Sequence, residues 1–376
     1  MKKTRFKRKM GEIDYGIFYA ILILLAIGVV MVYSASSYYA MFKEGDSMFY
    51  LKRQIVWATL GLLSMVFMMT IDYHKLRGYT KFLMIITVPL LLAVHLFPAV
   101  NGAKRWIQLG PASFQPSELA KYVVVIFLAK SIDMKGDGIK KFSTGIIPYL
   151  AVSGGFAALV LAQKNLSIAS IIMIVTFIML FVGGGRIKDL FGKLAPALLA
   201  AVGAFIVLEP YRMARLMNFT NPWQDAAGDG YQLIQSFYAL GAGGITGLGL
   251  GQSRQKTLYM PEPHNDFIFS IIGEELGLIG CLCIMGLFLF FIWRGISVSM
   301  KARDTYGTLL AVGITSIIAV QAIINIAVVT GSMPVTGVPM PFISYGGTSL
   351  VINMMAMGIL LNISRQTQGK EEKFLK

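Results

Sequence analysis

The stretch PEPHNDFIFSIIGEELG, Pro261 to Gly277, places Glu262, His264 and Asp266 directly ahead of a long apolar run. Charge held at a membrane boundary usually has work to do, although Glu262 and His264, read by themselves, are solvated loop residues. Phe267, Ile268, Phe269, Ile271 and Ile272 predict a helix with Asp266 at its amino end, where the helix dipole favours an ionised carboxylate. The same position suits a helix cap, a frequent task for aspartate. Spacing alone leaves both readings open.

Two further segments carry polar groups in unusual backbone. Asn101 to Lys121 reads NGAKRWIQLGPASFQPSELAK. Pro116 can occupy the first turn of a helix, and Glu118 and Lys121, at i and i+3, then share a face and can pair. That pair reads equally as a stitch between helices or as a substrate contact. Gly331 to Ser349 reads GSMPVTGVPMPFISYGGTS, and its prolines and glycines forbid a continuous helix. Irregular backbone at membrane depth survives only where protein or a water-filled cavity buries it, so Ser344 and Tyr345 are expected in a cavity wall. Glu274 and Glu275 fall inside an apolar run, where an uncompensated charge is costly, and they need partners or a cavity. His74 and His95 read as structural.

The elements that position these groups follow from composition. The chain has 376 residues, 56% of them hydrophobic and 14% charged, with a mean hydropathy of +0.66. These values give an all-α polytopic membrane protein. Runs of about 20 apolar residues cross roughly 30 Å of hydrocarbon, and about ten occur: Tyr15–Ser36, Gln54–Ile71, Phe82–Phe97, Pro116–Ser131, Thr144–Ala162, Leu166–Gly183, Ala195–Leu208, Phe267–Trp293, Thr308–Thr330 and Gly347–Ile363. The first is too long for a cleaved secretory signal and reads as a retained anchor. Cys281 and Cys283 point to different faces of the eighth span, which excludes a mutual disulfide.

The formal net charge of +15 would suggest nucleic acid in a soluble chain. Its distribution assigns it to the membrane instead. Basic groups at the amino terminus, at Lys75, Arg77 and Lys81, at Lys135, Lys140 and Lys141, at Arg186, Lys188 and Lys193, at Arg294, Lys301 and Arg303, and at the carboxyl terminus all fall on one side of ten spans. The positive-inside rule makes that side cytoplasmic. Residues 1–14 are then a basic cytoplasmic tail, 15–364 a single transmembrane domain, and 365–376 a second cytoplasmic tail. The loop 209–266 falls outside and is far longer than an ordinary connection. Within it Tyr231 to Leu240 predicts an amphipathic helix lying on the membrane, and Gly241 to Gly251 offers close backbone approach to a ligand or another helix.

The chain resembles the SEDS proteins, the FtsW/RodA/SpoVE peptidoglycan glycosyltransferases. The resemblance covers nearly the whole length and rests on GAKRWIQLG with FQPSELAK, YRMARLMNFTNPWQDAAGDGYQ, GLGLGQSRQK, PEPHNDFIFSIIGEELG and PVTGVPMPFISYGG. The IGEELG ending at Gly277, Gln255-Lys256 and the LLNISR before Gln366 resemble the FtsW and SpoVE branch more than RodA. One departure stands out: Gln163-Lys164-Asn165-Leu166-Ser167 replaces the family's proline-aspartate-leucine-glycine turn, which removes the basis for carrying over that acidic residue's role.

The resemblance implies polymerisation of lipid II on the outer face of the bacterial cytoplasmic membrane, in septal wall synthesis, with release of undecaprenyl pyrophosphate. Asp266 matches the family's catalytic aspartate and would be the general base. Arg212 and Arg215, with Lys256 behind them, are the candidates for the diphosphate, because guanidinium groups hold phosphate oxygens bidentately. Glu262, His264, Glu118, Lys121, Ser344 and Tyr345 are supporting substrate-site candidates. No cofactor is required by the sequence; a divalent cation, Mg or Mn, could share the diphosphate, but the sequence shows no dedicated ligand cluster. Implied partners are a class B penicillin-binding protein, other division proteins and membrane lipid, with no nucleic acid. A lipid II flippase and a non-catalytic division scaffold are the alternatives.

Overall fold

The computed structural model describes residues 11–99, 102–110, 112–207, 213, 217, 219–228 and 230–367. Eleven helices of thirteen residues or more are described: α1 Tyr15–Glu44, α2 Phe49–Thr70, α3 His74–Ala93, α4 Pro116–Lys135, α5 Ile147–Ala162, α6 Leu166–Val182, α7 Ala195–Val207, α8 Tyr231–Gly243, α9 Ile268–Lys301, α10 Thr305–Val329 and α11 Gly347–Thr367. A two-stranded antiparallel ribbon, β1 Ile107–Leu109 and β2 Ala112–Phe114, pairs Ile107 with Phe114 just ahead of α4.

Every expected span falls on a helix. Among the described residues seven helical segments are long and apolar enough to cross a membrane: Tyr15–Glu44, Phe49–Thr70, His74–Leu96, Phe142–Ala162, Ile268–Lys301, Thr305–Val329 and Gly347–Thr367. The other three expected spans lie on α4, α6 and α7, which are more charged or shorter. Helix α4 is buried on nearly all sides, from Pro116 through Ile132, and packs against α3, α6 and α10. A helix enclosed by protein can carry charges that a lipid-facing one cannot.

Local chemistry sets the helix starts. Asp14 caps α1 by accepting from the Ile17 amide at 3.0 Å, and Asp304 caps α10 by accepting from Gly307 at 2.7 Å. Asn165 caps α6 through Ile168 at 3.2 Å, so the departing Gln163–Ser167 segment works as a helix-entry turn. Pro116 sits in the first turn of α4, as its missing amide favours.

Helix α9 is broken. Gly277 adopts φ 67° and ψ −167° inside it, and the glycine-rich loop after α8 fills the break. Leu248 and Gly249 donate to the carbonyls of Glu274 and Glu275 at 3.0 Å each, while Leu278 and Ile279 donate to Gly244 and Ile245 at 2.9 and 3.2 Å. The backbone groups freed by the break are thus satisfied by the loop, as a buried break requires. No side chain fits there: a Cβ on Gly277 would lie 2.3 Å from the Gly247 nitrogen. The close approach expected of Gly241 to Gly251 is therefore to a helix.

The segment between α10 and α11 is irregular and buried, as expected of its prolines and glycines. Val338, Met340, Phe342 and Ile343 are each at most 3% exposed. Ser344 accepts from the Met340 amide at 2.8 Å and holds this backbone in shape.

Candidate active site

At the start of α9, Asp266 lines a cavity of about 330 Å³. The helix begins at Ile268, and its cap position belongs to Phe267. Four elements complete the walls: Arg53 and Trp57 from α2, Arg105, Trp106 and Ser113 from the ribbon region, Glu118 from α4 and Gln321 from α10. Asn165, Gly337 to Pro339 and Tyr345 to Gly347 close it. The volume is at the small end of ligand pockets, enough for part of a large substrate.

Asp266 is held by backbone contacts. Asn325 of α10 donates to the carbonyl of Asp266 at 2.7 Å and to that of Val338 at 2.8 Å, tying the start of α9 to the irregular segment. The carboxylate approaches that segment too, since a Cβ on Gly337 would lie 3.2 Å from its Oδ2. Glycine leaves the acid room.

Cationic and anionic groups face the same space. The Arg105 guanidinium is held by the carbonyls of Gln163 and Lys164, and that of Arg53 lies 4.2 Å from the centre of the Phe49 ring. Glu118 pairs with Lys121 at 2.9 Å, with both side chains buried. The expected i, i+3 pair therefore forms inside the protein, where removing one partner strands the other charge.

The sequence can now be set against known proteins. A family model described as cell cycle protein, covering FtsW, RodA and SpoVE, matches residues 15–369. The chain belongs to the FtsW/RodA/SpoVE family. It is similar to the stage V sporulation protein E of Bacillus subtilis strain 168, 45% identical over 92% of this chain and 95% of that protein. It is also similar to a probable peptidoglycan glycosyltransferase FtsW of Geobacter sp. strain M18, 41% identical over 96% and 99%. Among solved structures, a chain from a peptidoglycan synthase complex that coordinates polymerization and crosslinking matches with TM-score 0.78 and 28% identity, covering 94% of this chain and 98% of that one. A mutant of the rod shape determining protein RodA of Thermus thermophilus matches with TM-score 0.70 and 25% identity, over 94% and 97%.

Within this FtsW/RodA/SpoVE chain the sequence-predicted residues separate into groups. Asp266, Glu118 and Tyr345 line the cavity, with Lys121 behind Glu118. Ser344 faces an adjoining recess of about 10 Å³ instead. Arg212 and Arg215 lie outside the described residues.

Three of the sequence-predicted residues are not among those that line the cavity. Lys256, read as a diphosphate cation, is absent from the cavity wall: its ammonium is buried against Glu275 at 2.8 Å and Ser34 at 3.2 Å. Its charge is spent on an internal carboxylate. His264 is also away from the wall, its ring centroid 4.2 Å from that of Tyr50 and 5.6 Å from that of Tyr345. Burial, then the nearby Lys43, push its imidazole down to about 3; it is neutral at physiological pH and anchors the loop. Glu262 accepts from the Asn265 side chain at 2.9 Å, shaping the turn before Asp266.

Sequence reasoning missed Arg53, Trp57, Arg105, Trp106, Gln321 and Asn325. The signals were present: Arg105-Trp106 sits inside GAKRWIQLG, and Gln321 and Asn325, at i and i+4, are amides in an otherwise apolar span. Among the described residues no three His, Cys, Asp or Glu side chains converge as metal ligands.

Proposed function

We propose that this chain is a peptidoglycan glycosyltransferase that polymerises lipid II. The observation that carries the reading is the Asp266 carboxylate in a cavity it shares with Arg53 and Arg105. Asp266 takes the proton from the acceptor sugar's 4-hydroxyl as that oxygen attacks the donor's anomeric carbon. The new carbon–oxygen bond forms on the face opposite the leaving group, and the configuration inverts. The bond from the anomeric carbon to the diphosphate oxygen breaks with its electron pair on that oxygen, and undecaprenyl pyrophosphate departs. A diphosphate needs no protonation to leave, so one carboxylate suffices where an inverting glycosidase uses two. Arg53 and Arg105 stabilise the charge that develops on the leaving group.

Positive-inside charge supports an orientation with both termini cytoplasmic and Asp266 on the outer face. In that orientation the lipid tail stays in the bilayer while the sugar and diphosphate reach the cavity. Similarity to a chain of a peptidoglycan synthase complex supports work alongside a class B penicillin-binding protein, with other division proteins as further partners in septal wall synthesis.

The test supplies purified protein, with and without its transpeptidase, with lipid II. Glycan polymer is expected from wild type and is lost in Asp266→Asn. Equal polymer from both would remove the base, and translocation of lipid II without polymer would establish a transporter.

A further inference from the structure

The turn from Gln163 to Ser167, where the sequence departs from its family, leads into the wall of the cavity. Asn165 lines that wall and is 5% exposed. Its Oδ1 accepts from the Ile168 amide at 3.2 Å, and a backbone N–H can only donate, so the orientation of the carboxamide is settled. Nδ2 is left as the free end. Among the described residues it has no hydrogen-bond partner, and it is not sealed inside the protein as the Gln321 oxygen is. Asn165 therefore presents N–H donors to the cavity.

The same turn positions a cation. The Arg105 guanidinium, also in the cavity wall, is held by the carbonyls of Gln163 and Lys164, which fix it without neutralising it. Lys164 adopts φ 58°, a conformation that costs backbone strain and that a proline ring forbids. With Leu166 in register, Lys164 stands where the family has proline and Asn165 where it has aspartate. The turn thus follows a path the family's version cannot, and it carries a hydrogen-bond donor where that version carries an anion. Ser167 pins it to the irregular segment through the Thr336 carbonyl.

We propose that Asn165 is a substrate-binding residue that donates to a phosphate oxygen of the lipid-linked diphosphate bound by Arg105. The inference rests on the glycosyltransferase reading. A diphosphate presents only acceptors, and a guanidinium with an N–H donor delivered by the same turn meets that demand. An aspartate in place of Asn165 would present acceptors and negative charge to the diphosphate and repel it.

The test measures binding by purified Asp266→Asn, in which turnover is blocked, and by the same protein with Asn165→Asp or Asn165→Ser added. Both replacements cap a helix as well as asparagine does, and both remove the amide. Two probes are used, lipid II and undecaprenyl pyrophosphate, which lacks the sugar. Each probe is expected to bind about 10- to 100-fold more weakly to both variants, the Asp variant losing more, with melting temperatures unchanged. Loss confined to lipid II would overturn the inference by placing the contact on the sugar. Unchanged affinity for both probes would overturn it by leaving Asn165 a helix cap alone, and a lowered melting temperature in both variants would make it structural. Should the Asp variant alone melt lower, the Ser variant decides by the same criteria. If the parent bound neither probe, the underlying reading would fall together with the inference.

Discussion

Two acidic sites lie eight residues apart at the start of α9, and their surroundings are opposite. Glu274 and Glu275 are fully buried. Ser253, the Arg254 amide and the Gln255 amide donate to Glu274. Ser34, Lys256 and the Ser253 amide donate to Glu275. This knot ties α1, the outer part of the loop and α9 together, and it leaves no carboxylate oxygen without a donor. Asp266 instead opens on a cavity whose wall also holds Gln321, an amide with an unpaired oxygen. Saturated charge inside protein holds a fold. Charge beside open space is where a substrate can bind.

If that contrast is right, substitutions at the two sites separate activity from stability. The largest expected effect is at Asp266: Asp266→Asn lowers polymerisation by about 10²- to 10⁴-fold, the range for a general base, with the melting temperature in detergent unchanged. A parallel collapse of melting would show that Asp266 belongs with the knot. Next comes Lys256→Met, which strands Glu275 and costs about 3–5 kcal/mol, read as a lower melting temperature. Loss of lipid II binding in still-folded Lys256→Met would return Lys256 to the substrate site.

The clasp between the glycine loop and α9 gives the next effect. Gly277→Ala puts a Cβ 2.3 Å from the Gly247 nitrogen at a positive φ, costing about 2–3 kcal/mol by backbone strain and displacement. Normal melting of that variant would mean the break is loosely held. The smallest effect is a pH dependence. The His264 imidazole is depressed to about 3 from 6.5, so the unfolded chain binds more protons between those values. The stability it contributes is complete above pH 6.5 and is lost as pH falls, by about 2 kcal/mol at pH 5. His264→Phe should flatten melting temperature between pH 7 and 5; an unchanged slope would place the titration elsewhere.

Much of this molecule was legible in the sequence. Apolar runs of span length gave the helices, because hydrocarbon thickness fixes their length. Prolines and glycines marked the irregular segment before α11. Asp266 was singled out because its position combines a charge with a helix start, and the Glu118–Lys121 pair was legible because i, i+3 spacing forces proximity. The break at Gly277 was hidden, since the apolar run continues through it and the hydrogen bonds that replace the helical ones come from a loop some thirty residues earlier. The pairing of Lys256 with Glu275 was hidden because a lysine's type says nothing of which carboxylate the fold brings to it. Arg53 was missed because a basic residue near the end of a span reads as an interfacial anchor, and Gln321 because only the packed structure shows that its oxygen lacks a partner.

In the proposed function, Asp266 stands in a cavity that a lipid-linked sugar enters from outside the membrane. Replacing Cys281 and Cys283 and then introducing Asp266→Cys allows a membrane-impermeant maleimide to report on that position in intact cells. Labelling from outside is expected, with protection when lipid II is supplied to the purified protein. Labelling only from the cytoplasmic side, or labelling indifferent to lipid II, would contradict it.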